Sequence, residues 1–450
     1  MKLSQPRRQI LFLNRSYWPD IEATGQLLTD LCRGLTGRFD VHVVCGQPNS
    51  PERNCHYRKQ GTSVHDGVTI HRLRHQQFRK KNPFGRILNL VSFYHAAQRY
   101  LARTRLSPAL VISETDPFLL PLAGAKYSRQ IGAKHCVYLQ DIYPDVAEAV
   151  GKLKLPLIAS RLRPKLQQAY RDADRIIVLG RCMRQRLVRA PWELPEDKIE
   201  TIPNWADCET VRPVDPASNA FRRRLGLEDA FVVMHSGNMG LTQRLDVLID
   251  AAADPQWPQQ ARLLLVGNGA SRDRLIRQAE RLRLLGNRIQ FLDYQPRSAL
   301  AESLSAADVH VVSMHQRITG CLCPSKLYGI LAAGRPVIAV ADPETDLWQT
   351  IDEGDLGWCV PPGSPGAIAQ AVARASKETR AESLATFAPA LLDRQRRARD
   401  QALCYFDRPV VVQKFEQVLC SILSDESLDV QKPAPIVTLD PISTEAILTP

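Results

Sequence analysis

The sequence has no long hydrophobic run. No apolar stretch approaches the roughly 20 residues of a membrane-spanning helix. The run ILFL at residues 10–13 is too short for the apolar core of a secretion signal. These absences argue against a membrane-spanning or secreted protein, and the sequence predicts a cytoplasmic location.

Cysteine spacing gives no sign of a disulfide framework. The 11 cysteines are odd in number and scattered, and no C-x-x-C occurs. Cys45, Cys136 and Cys359 lie in apolar runs, where a thiol behaves as a small hydrophobic side chain. Cys321 and Cys323 have no His or Cys partner at ligand spacing nearby. The sequence therefore predicts no metal site.

Acidic residues are scarce in the first half of the chain. The net formal charge is +12. Up to residue 205, 33 Lys and Arg stand against 17 Asp and Glu, a balance of +16; the remainder holds 26 against 30, a balance of −4. A basic half can face nucleic acid, an anionic membrane or a phosphate-bearing substrate. The basic residues have no interleaved aromatic platforms, which disfavours nucleic acid.

Short apolar strands alternate with helical segments in two long blocks. The first block runs from Gln9 to Asp207 and the second begins at Ala230. This alternation predicts two doubly wound α/β domains. The predicted parts are a first domain over 1–205, a linker over 206–229, a second domain over 230–390, a helical segment over 391–424 and a disordered, proline-broken tail over 425–450.

The stretch from Met314 to Val340 gives the clearest indication of function. It reads as loop, helix and strand, with Pro324 in the first turn of the helix and Gly334 at its end. A helix start at the carboxyl edge of a parallel sheet points free N–H groups at a ligand. With Ser325 and Lys326 in that turn, the pattern predicts a phosphate site. The alternative is an ordinary βαβ unit with a solvated lysine.

Small-residue loops follow other strands of the same predicted domain. Gly237 and Gly240 follow one strand, and Gly267 and Gly269 follow the next. Together with the Pro-Ser-Lys step, these loops favour a nucleoside diphosphate. In the first domain, Gly25 stands at a predicted helix start.

Carboxylates also follow predicted strands. Asp141 and Asp145 come after the strand KHCVYLQ, and Glu344 and Asp346 come after PVIAV. Open α/β sheets bind ligands at this edge. An aspartate there can equally be a helix cap.

The segment from Gln76 to Leu106 is strongly basic. Its apolar positions form a stripe surrounded by Arg and Lys, including Arg79, Lys80 and Lys81. A basic amphipathic helix can lie in an anionic lipid surface. Packing of the stripe on the sheet is the favoured interpretation for its apolar residues, and the basic end remains free to meet lipid.

The assembled motifs resemble those of the retaining family 4 glycosyltransferases. The residues that carry the resemblance are YWPDIEATGQLLTDL, VYLQDIYPDVAEAVG, ADRIIVLGRCM, IPNWAD, HSGNMG, VGNGASRDRL and PSKLYGILAAGRPVIAV. They extend in order over most of the chain and look most like the branch that builds bacterial cell-surface polysaccharide.

The resemblance implies the GT-B architecture, in which two Rossmann-like lobes face each other across a cleft. It implies a nucleoside diphosphate sugar in the second lobe and a glycan or polyprenyl-diphosphate-linked acceptor on the first. No metal or other cofactor is implied. The donor-binding residues expected are Gly25, Gly237, Asn238, Gly240, Gln243, Gly267, Gly269, Arg272, Tyr294, Arg317, Pro324, Ser325, Lys326 and Glu344.

The sequence departs from the family at several positions. Asn238 and Gln243 stand where many members have Arg and Lys, Gly329 stands where many have Glu, and Gln140 replaces a usual His. Lys326 is therefore expected to supply the positive charge that compensates the departing phosphate, with Arg272 or Arg317 as a second cation. Asp141 is expected to orient the acceptor or sugar hydroxyls, and both Asp141 and Lys326 are predicted to be catalytic.

Two other functions fit the same motifs. A sugar-nucleotide epimerase shares the two-lobe design but needs acid and base groups, which the first-lobe loops supply sparsely. A catalytically inactive nucleotide-sugar-binding protein is the third reading, because the usual Glu and Arg/Lys are missing. Peripheral binding at the inner membrane face is expected if the acceptor is lipid-linked.

Overall fold

The protein consists of two α/β lobes, each built on one mainly parallel sheet covered by helices. The structure is a computed structural model and describes residues 7–49, 55–78, 83–151, 156–383 and 389–424. Most strands are continuous apolar runs, such as QILFL and ARLLLV, and their side chains are largely buried. Such runs are what a sheet covered on both faces requires.

The first lobe contains an eight-stranded sheet in the order β3-β4-β2-β1-β5-β6-β7-β8. Only β3 and β4 pair antiparallel. The strands are β1 (Gln9–Leu13), β2 (Asp40–Cys45), β3 (Gly61–His65), β4 (Val68–Arg72), β5 (Leu110–Ser113), β6 (Lys134–Leu139), β7 (Arg175–Val178) and β8 (Ile199–Thr201). The helices are α1 (Ala23–Leu35), α2 (Pro83–Leu101), α3 (Leu120–Ile131), α4 (Asp145–Ala149), α5 (Pro156–Arg171) and α6 (Arg181–Val188).

The second lobe contains a six-stranded parallel sheet in the order β11-β10-β9-β12-β13-β14. Its strands are β9 (Phe231–Ser236), β10 (Ala261–Val266), β11 (Ile289–Leu292), β12 (Val309–Ser313), β13 (Val337–Val340) and β14 (Gly357–Val360). Its helices are α7 (Ala220–Arg224), α8 (Leu245–Ala253), α9 (Arg272–Arg281), α10 (Leu300–Ser305), α11 (Lys326–Ala332), α12 (Asp346–Glu353) and α13 (Pro365–Ser383). The strand order reverses between β9 and β12, which is where such sheets bind ligands.

Two chain segments cross between the lobes side by side. Ala206 N donates to Phe406 O at 2.9 Å, and Arg408 N donates to Ala206 O at 2.9 Å. The second crossing follows α14 (Pro389–Gln401) and a π-helical turn, and it leads into α15 (Arg408–Ser424). Helix α15 packs its apolar face on α1, so the last described helix completes the core of the first lobe.

The predicted linker is partly wrong. Residues 220–224 form α7, and Phe221 and Leu227 join a buried cluster with strand residues of the second lobe. The buried Arg222 also forms an ion pair of 3.0 Å with Asp308. The second half of the predicted linker is therefore part of the second lobe. The predicted disordered tail, 425–450, lies outside the described residues.

Packing of the apolar stripe of α2 on the sheet is also partly wrong. Phe93, Ala97 and Leu101 are buried, but Ile87 is 60% exposed and Leu88 is 52% exposed. The first half of α2 therefore presents apolar side chains to solvent. Arg79, Lys80 and Lys81 lie outside the described residues. Within the described part of the chain, no helix combines the length and apolar character that crossing a bilayer requires.

Candidate active site

Two glycine-containing loops lie against each other at the carboxyl edge of the second sheet. Gly237 N donates to Val266 O at 2.8 Å, and Met239 N donates to Asn268 O at 2.8 Å. Gly267 has φ +128°, and a Cβ there would run into the carbonyl oxygen of Gly237. Only glycine permits this approach, because a backbone atom cannot move aside as a side chain can. The two loops form a concave backbone surface, which we call the glycine cradle (residues 237–240 and 267–269).

Lys326 extends across this cradle. It begins α11, and a Cβ at Gly237 would lie 2.7 Å from its Cε. Burial lowers the pKa of Lys326 to about 8. No described residue forms an ion pair or hydrogen bond with its ammonium group. A half-buried cation without a carboxylate partner, placed over a backbone cradle, is suited to an anionic ligand.

The start of α11 is open. Ser325 is the N-cap, is exposed, and makes no side-chain capping hydrogen bond. Pro324 therefore precedes the helix and is not in its first turn as the sequence predicted. Gly334 follows the helix with φ +63°, as its predicted place at the helix end requires.

His235 lies beneath the cradle at the end of β9. Its Nδ1 is 3.3 Å from Val311 O. Burial, and next the charge of Lys326, lower the pKa of His235 to about 3. The imidazole is therefore neutral at physiological pH and adds no competing positive charge beside Lys326.

Asp141 reaches the same region from the first lobe. Its backbone pairs with Leu322, and Ile142 N donates to Cys321 O at 2.8 Å. This contact brings Asp141 close to the loop that carries Lys326. Burial, and next the charge of Asp116, raise the pKa of Asp141 to about 6. No described residue accepts or donates a hydrogen bond at its carboxylate, so the group is available to a substrate hydroxyl.

Asp145 has a structural role instead. Its carboxylate contacts Arg163 at 2.9 Å and Arg186 at 2.8 Å, and it accepts from Trp192 Nε1 at 3.1 Å. The side chain is 1% exposed. Asp145 therefore fixes α4 against its neighbours, and of these two aspartates only Asp141 has a carboxylate without a hydrogen-bond partner among the described residues.

Further polar residues stand at the switch point of the first sheet, between β1 and β5. Arg15 contacts Asp116 at 2.9 Å and Glu22 at 3.4 Å. Asp20 accepts from Ser16 Oγ at 3.1 Å and from Asn49 N at 3.0 Å. This cluster of carboxylates beside Asp141 offers acceptors for the hydroxyl groups of a sugar.

Asp346 ties the two lobes together. It begins α12 in the second lobe, and its carboxylate accepts from the backbone of Arg181 at 2.6 Å and of Cys182 at 2.9 Å. Both donors are in the first turn of α6, so a carboxylate of one lobe caps a helix of the other. Arg181 also contacts Glu353 at 2.9 Å. These contacts hold the cleft-facing edges of the two sheets together.

The comparison with known proteins matches both lobes to one family. Residues 23–205 match the family described as "Glycosyl transferase 4-like domain", and residues 230–378 match "Glycosyl transferases group 1". The two matched ranges coincide with the two lobes and together include most of the chain. The chain belongs to the family 4 glycosyltransferases.

Curated relatives of this glycosyltransferase include two bacterial proteins. It is 30% identical over 267 residues to the probable glycosyltransferase WbjE of Pseudomonas aeruginosa, covering 58% of this chain and 65% of WbjE. It is 24% identical over 381 residues to the putative colanic acid biosynthesis glycosyl transferase WcaI of Escherichia coli, covering 82% of this chain and 92% of WcaI.

Solved structures share the fold of the glycosyltransferase. HepE of Anabaena, crystallised with UDP and glucose, superposes with a TM-score of 0.67 at 17% identity, covering 92% of this chain and all of HepE. The expected GT-B architecture of two facing Rossmann-like lobes is confirmed.

The structure gives some predicted donor residues of the glycosyltransferase packing roles. Gln243 Oε1 accepts from Gly240 N at 2.9 Å, so its side chain braces the cradle. Gly25 is buried in the first turn of α1, where a Cβ would lie 2.5 Å from Ser16 Oγ. Both residues therefore have a structural role, and their part in donor binding stays a prediction. Asn238 is exposed at the rim of the cradle.

The remaining predicted donor residues lie on loops and helix starts of the second lobe. Arg272 begins α9 and contacts Asp293 at 3.4 Å. Tyr294 is 57% exposed, and its hydroxyl donates to Asn268 O at 3.3 Å. Arg317 is exposed on a turn before α11, and Glu344 is exposed on the loop after β13.

Three groups found together in the glycosyltransferase were not anticipated from sequence. The ligand atoms of Cys182, Cys323 and Asp346 lie within 4.8 Å of one another, although Cys182 comes from the other lobe. Hydrogen bonding to Cys182 and burial raise the pKa of Cys323 well above its usual range. The Asp346 oxygens already accept two N–H groups at the positive end of α6. A thiol with a raised pKa, such as that of Cys323, is a poor ligand for a cation, and the absence of a metal site stays a prediction.

Several other residues of the site were missed by sequence reasoning, among them His235 and Asp116. His235 could have been found as a polar residue inside a buried strand that ends at a glycine loop. Asp116 could have been found as the carboxylate after β5, at the predicted carboxyl edge of the first sheet. Asp346 was noticed only as a loop carboxylate, because its capping role depends on the other lobe.

Proposed function

We propose that this glycosyltransferase moves a sugar from a nucleoside diphosphate sugar to a glycan or lipid-linked acceptor in bacterial cell-surface polysaccharide synthesis, with retention of the anomeric configuration. The observation that carries the proposal is the unpartnered ammonium group of Lys326 over the glycine cradle. The description of WcaI as a putative colanic acid biosynthesis glycosyl transferase supports a polysaccharide acceptor. The UDP and glucose bound to HepE support a nucleoside diphosphate sugar as donor.

The chemistry requires stabilisation of the departing phosphate. When the bond from the anomeric carbon to the diphosphate breaks, negative charge develops on the phosphate oxygens. A preformed donor at that position is worth about 3 kcal/mol of barrier lowering. Lys326 supplies a cation there, with backbone N–H groups of the cradle beside it. Because the protein supplies this charge, the proposed reaction needs no metal ion.

In this proposal the acceptor binds to the first lobe. Its attacking hydroxyl approaches the anomeric carbon from the face that the diphosphate leaves, and the departing phosphate takes its proton. No protein nucleophile is required in this scheme. Asp141 accepts a hydrogen bond from a hydroxyl of the sugar or acceptor, and the cluster around Arg15 and Asp116 holds more distant hydroxyl groups.

Analysis of the products of a nucleotide-sugar panel tests the proposal. Purified protein would be incubated with each donor, with and without lipid-linked glycan acceptors, and products would be identified by mass spectrometry and the anomeric configuration by NMR. We expect transfer that depends on acceptor and that retains the configuration. Conversion of a donor without acceptor would indicate an epimerase, and binding without turnover would indicate an inactive binding protein.

We also propose that the first lobe binds an anionic membrane surface at the inner face of the plasma membrane. Phe78, Ile87, Leu88 and Val91 are all at least 36% exposed. Insertion of such side chains gains roughly 1.5–3 kcal/mol for each one fully buried. Basic residues of the same segment add attraction to anionic lipid. A lipid-linked acceptor would be presented at the same surface.

Vesicle sedimentation tests the membrane proposal. Ile87→Ser/Leu88→Ser should lower retention on anionic vesicles, because it removes the exposed apolar contact. The matched control is Leu282→Ser/Leu285→Ser, because both leucines are 39% exposed but lie on the second lobe. Neutralising Arg79, Lys80 and Lys81 should reduce retention most at low salt. Equal retention of all variants would contradict the proposal.

A further inference from the structure

A second cavity lies between the lobes and is distinct from the glycine cradle. It has a volume of about 400 Å³ and is lined by residues 149–151 of the first lobe and by side chains from α8, α9 and two loops of the second lobe. One of these loops, residues 241–244, directly follows the cradle. His315 N donates to Thr242 O at 2.7 Å, which ties that loop to the turn before α11.

The charged lining of this cavity is mostly positive. Its charged and titratable side chains are Arg244, Arg274, His315, Arg317 and Asp246. Asp246 is its one carboxylate, and Arg244 already binds both oxygens of that carboxylate at 3.0 Å and 3.1 Å. Among the described residues, Arg274 and Arg317 have no carboxylate within ion-pair distance.

The lowered pKa of His315 is consistent with this excess of positive charge. Burial lowers the pKa of His315, and the charges of Arg244 and Arg317 lower it further. Its Nδ1 accepts from Arg317 N at 3.0 Å. The ring is thus held in place at the wall of the cavity, next to Arg317, whose guanidinium group has no carboxylate partner among the described residues.

The lining of the cavity is suited to an anionic group attached to a sugar. Guanidinium groups match the geometry of carboxylate and phosphate oxygens. Leu241 and Val150 give one side of the cavity an apolar surface, against which a sugar ring can pack. Because the walls come from both lobes, an anion bound here would contact both sides of the cleft.

We propose that this cavity binds a second anionic group, a carboxylate or phosphate carried by the transferred sugar or by the acceptor, in addition to the diphosphate of the donor. The inference rests on the proposed function, because it assigns the cavity to the same substrates. It places Arg317 in this second subsite and leaves Lys326 as the cation of the cradle.

Calorimetry with inorganic phosphate tests the subsite directly. The test variant is Arg274→Gln/Arg317→Gln. The matched control is Arg277→Gln/Arg281→Gln, which removes two exposed arginines from α9 that do not line the cavity. We expect the wild type and the control to bind phosphate at two sites and the test variant to lose one of them. Two unchanged sites in the test variant would overturn the inference.

The variant Lys326→Met separates this inference from the proposed function. If both are right, Lys326→Met loses the cradle site and keeps the cavity site. If Lys326→Met changes nothing but the arginine pair still matters, the diphosphate assignment is wrong and the subsite stands.

Kinetics with paired substrates then identify the source of the anion. The pairs are a neutral and a carboxylate-bearing nucleotide sugar, and a neutral and an acidic glycan acceptor. In the test variant we expect the KM of the acidic member of one pair to rise at least about tenfold more than that of the neutral member, as expected for about 1.4 kcal/mol of lost binding. The pair that shows the effect identifies whether the anionic group belongs to the transferred sugar or to the acceptor. No difference in either pair would overturn the inference.

Discussion

Replacement of Lys326 gives the sharpest test of the active site. Lys326→Met removes the ammonium group but keeps an apolar stem to pack over Gly237, so the cradle should remain folded. Loss of one preformed donor to a developing oxyanion costs about 2.7–4 kcal/mol, or about 10²–10³ in kcat. We expect a fall of this size in the transfer rate at saturating donor. Because the ammonium group contacts the diphosphate in the ground state as well, donor affinity should also weaken.

The pH dependence adds an independent readout. With a pKa of about 8, Lys326 is charged below that pH, and donor binding should weaken as the pH rises through it. A bound diphosphate raises the pKa of Lys326. The alkaline fall in kcat should therefore lie at higher pH than the alkaline fall in kcat/KM. Lys326→Arg keeps its charge and should move the alkaline limb upward.

Steady-state transfer assays and calorimetric donor binding would measure these effects. Lys377→Met is the matched control, because Lys377 is exposed on α13 in the same lobe and its replacement removes the same charge. A Lys326→Met enzyme with wild-type kcat and donor affinity would refute the assignment of the cradle.

Three further predictions follow from the same geometry. Activity should fall below pH 6, where Asp141 gains a proton, and Asp141→Asn should lower turnover and remove this acid limb from the pH–rate profile; an unchanged limb would exclude Asp141 as its source. Gly267→Ala should abolish donor binding and lower the melting temperature, because its Cβ meets the carbonyl of Gly237; calorimetry showing normal binding would contradict the cradle geometry. Asp346→Asn should weaken the two contacts to α6, lower the free energy of unfolding by about 1–3 kcal/mol and enlarge the radius of gyration in scattering; a variant as compact and stable as the wild type would show that the cap does not hold the lobes together.

The alternation of apolar runs was enough to predict the two-lobe architecture. Buried parallel strands read as continuous Val, Ile and Leu runs, and the spacing of Leu27, Leu28, Leu31 and Leu35 predicts one apolar face on α1, of which Leu28, Leu31 and Leu35 are buried. The hairpin of β3 and β4 was not predicted, because its edge strand β3 is largely exposed and contains few apolar residues. Helix α7 was hidden in a polar, proline-containing segment, where tertiary packing of Phe221 outweighs local composition.

The sequence predicted those parts of the candidate site that lie in glycine loops and at the carboxyl ends of strands. The cradle and Lys326 belong to this class. The bracing contact of Gln243 could not be predicted, because only the folded loop shows that its side-chain oxygen accepts from Gly240 N. Two other roles depend on contacts between segments far apart in sequence, which hydrophobic periodicity does not predict. These are the burial of Asp145 between two arginines and the contact of Asp346 with the other lobe.

The position of α15 has a consequence for synthesis of the chain on the ribosome. Its apolar face fills the first lobe, and Val412 lies so close to Gly34 of α1 that a Cβ there would be 2.7 Å from it. The ribosome makes the first lobe's sheet long before it makes this helix; at 5–20 residues per second, the intervening stretch of about 200 residues takes roughly 10–40 s. During that interval the nascent lobe exposes the groove on α1 that α15 will later fill. Nascent chains halted before Arg408 should therefore recruit chaperones that recognise apolar surface, and release should follow once α15 emerges.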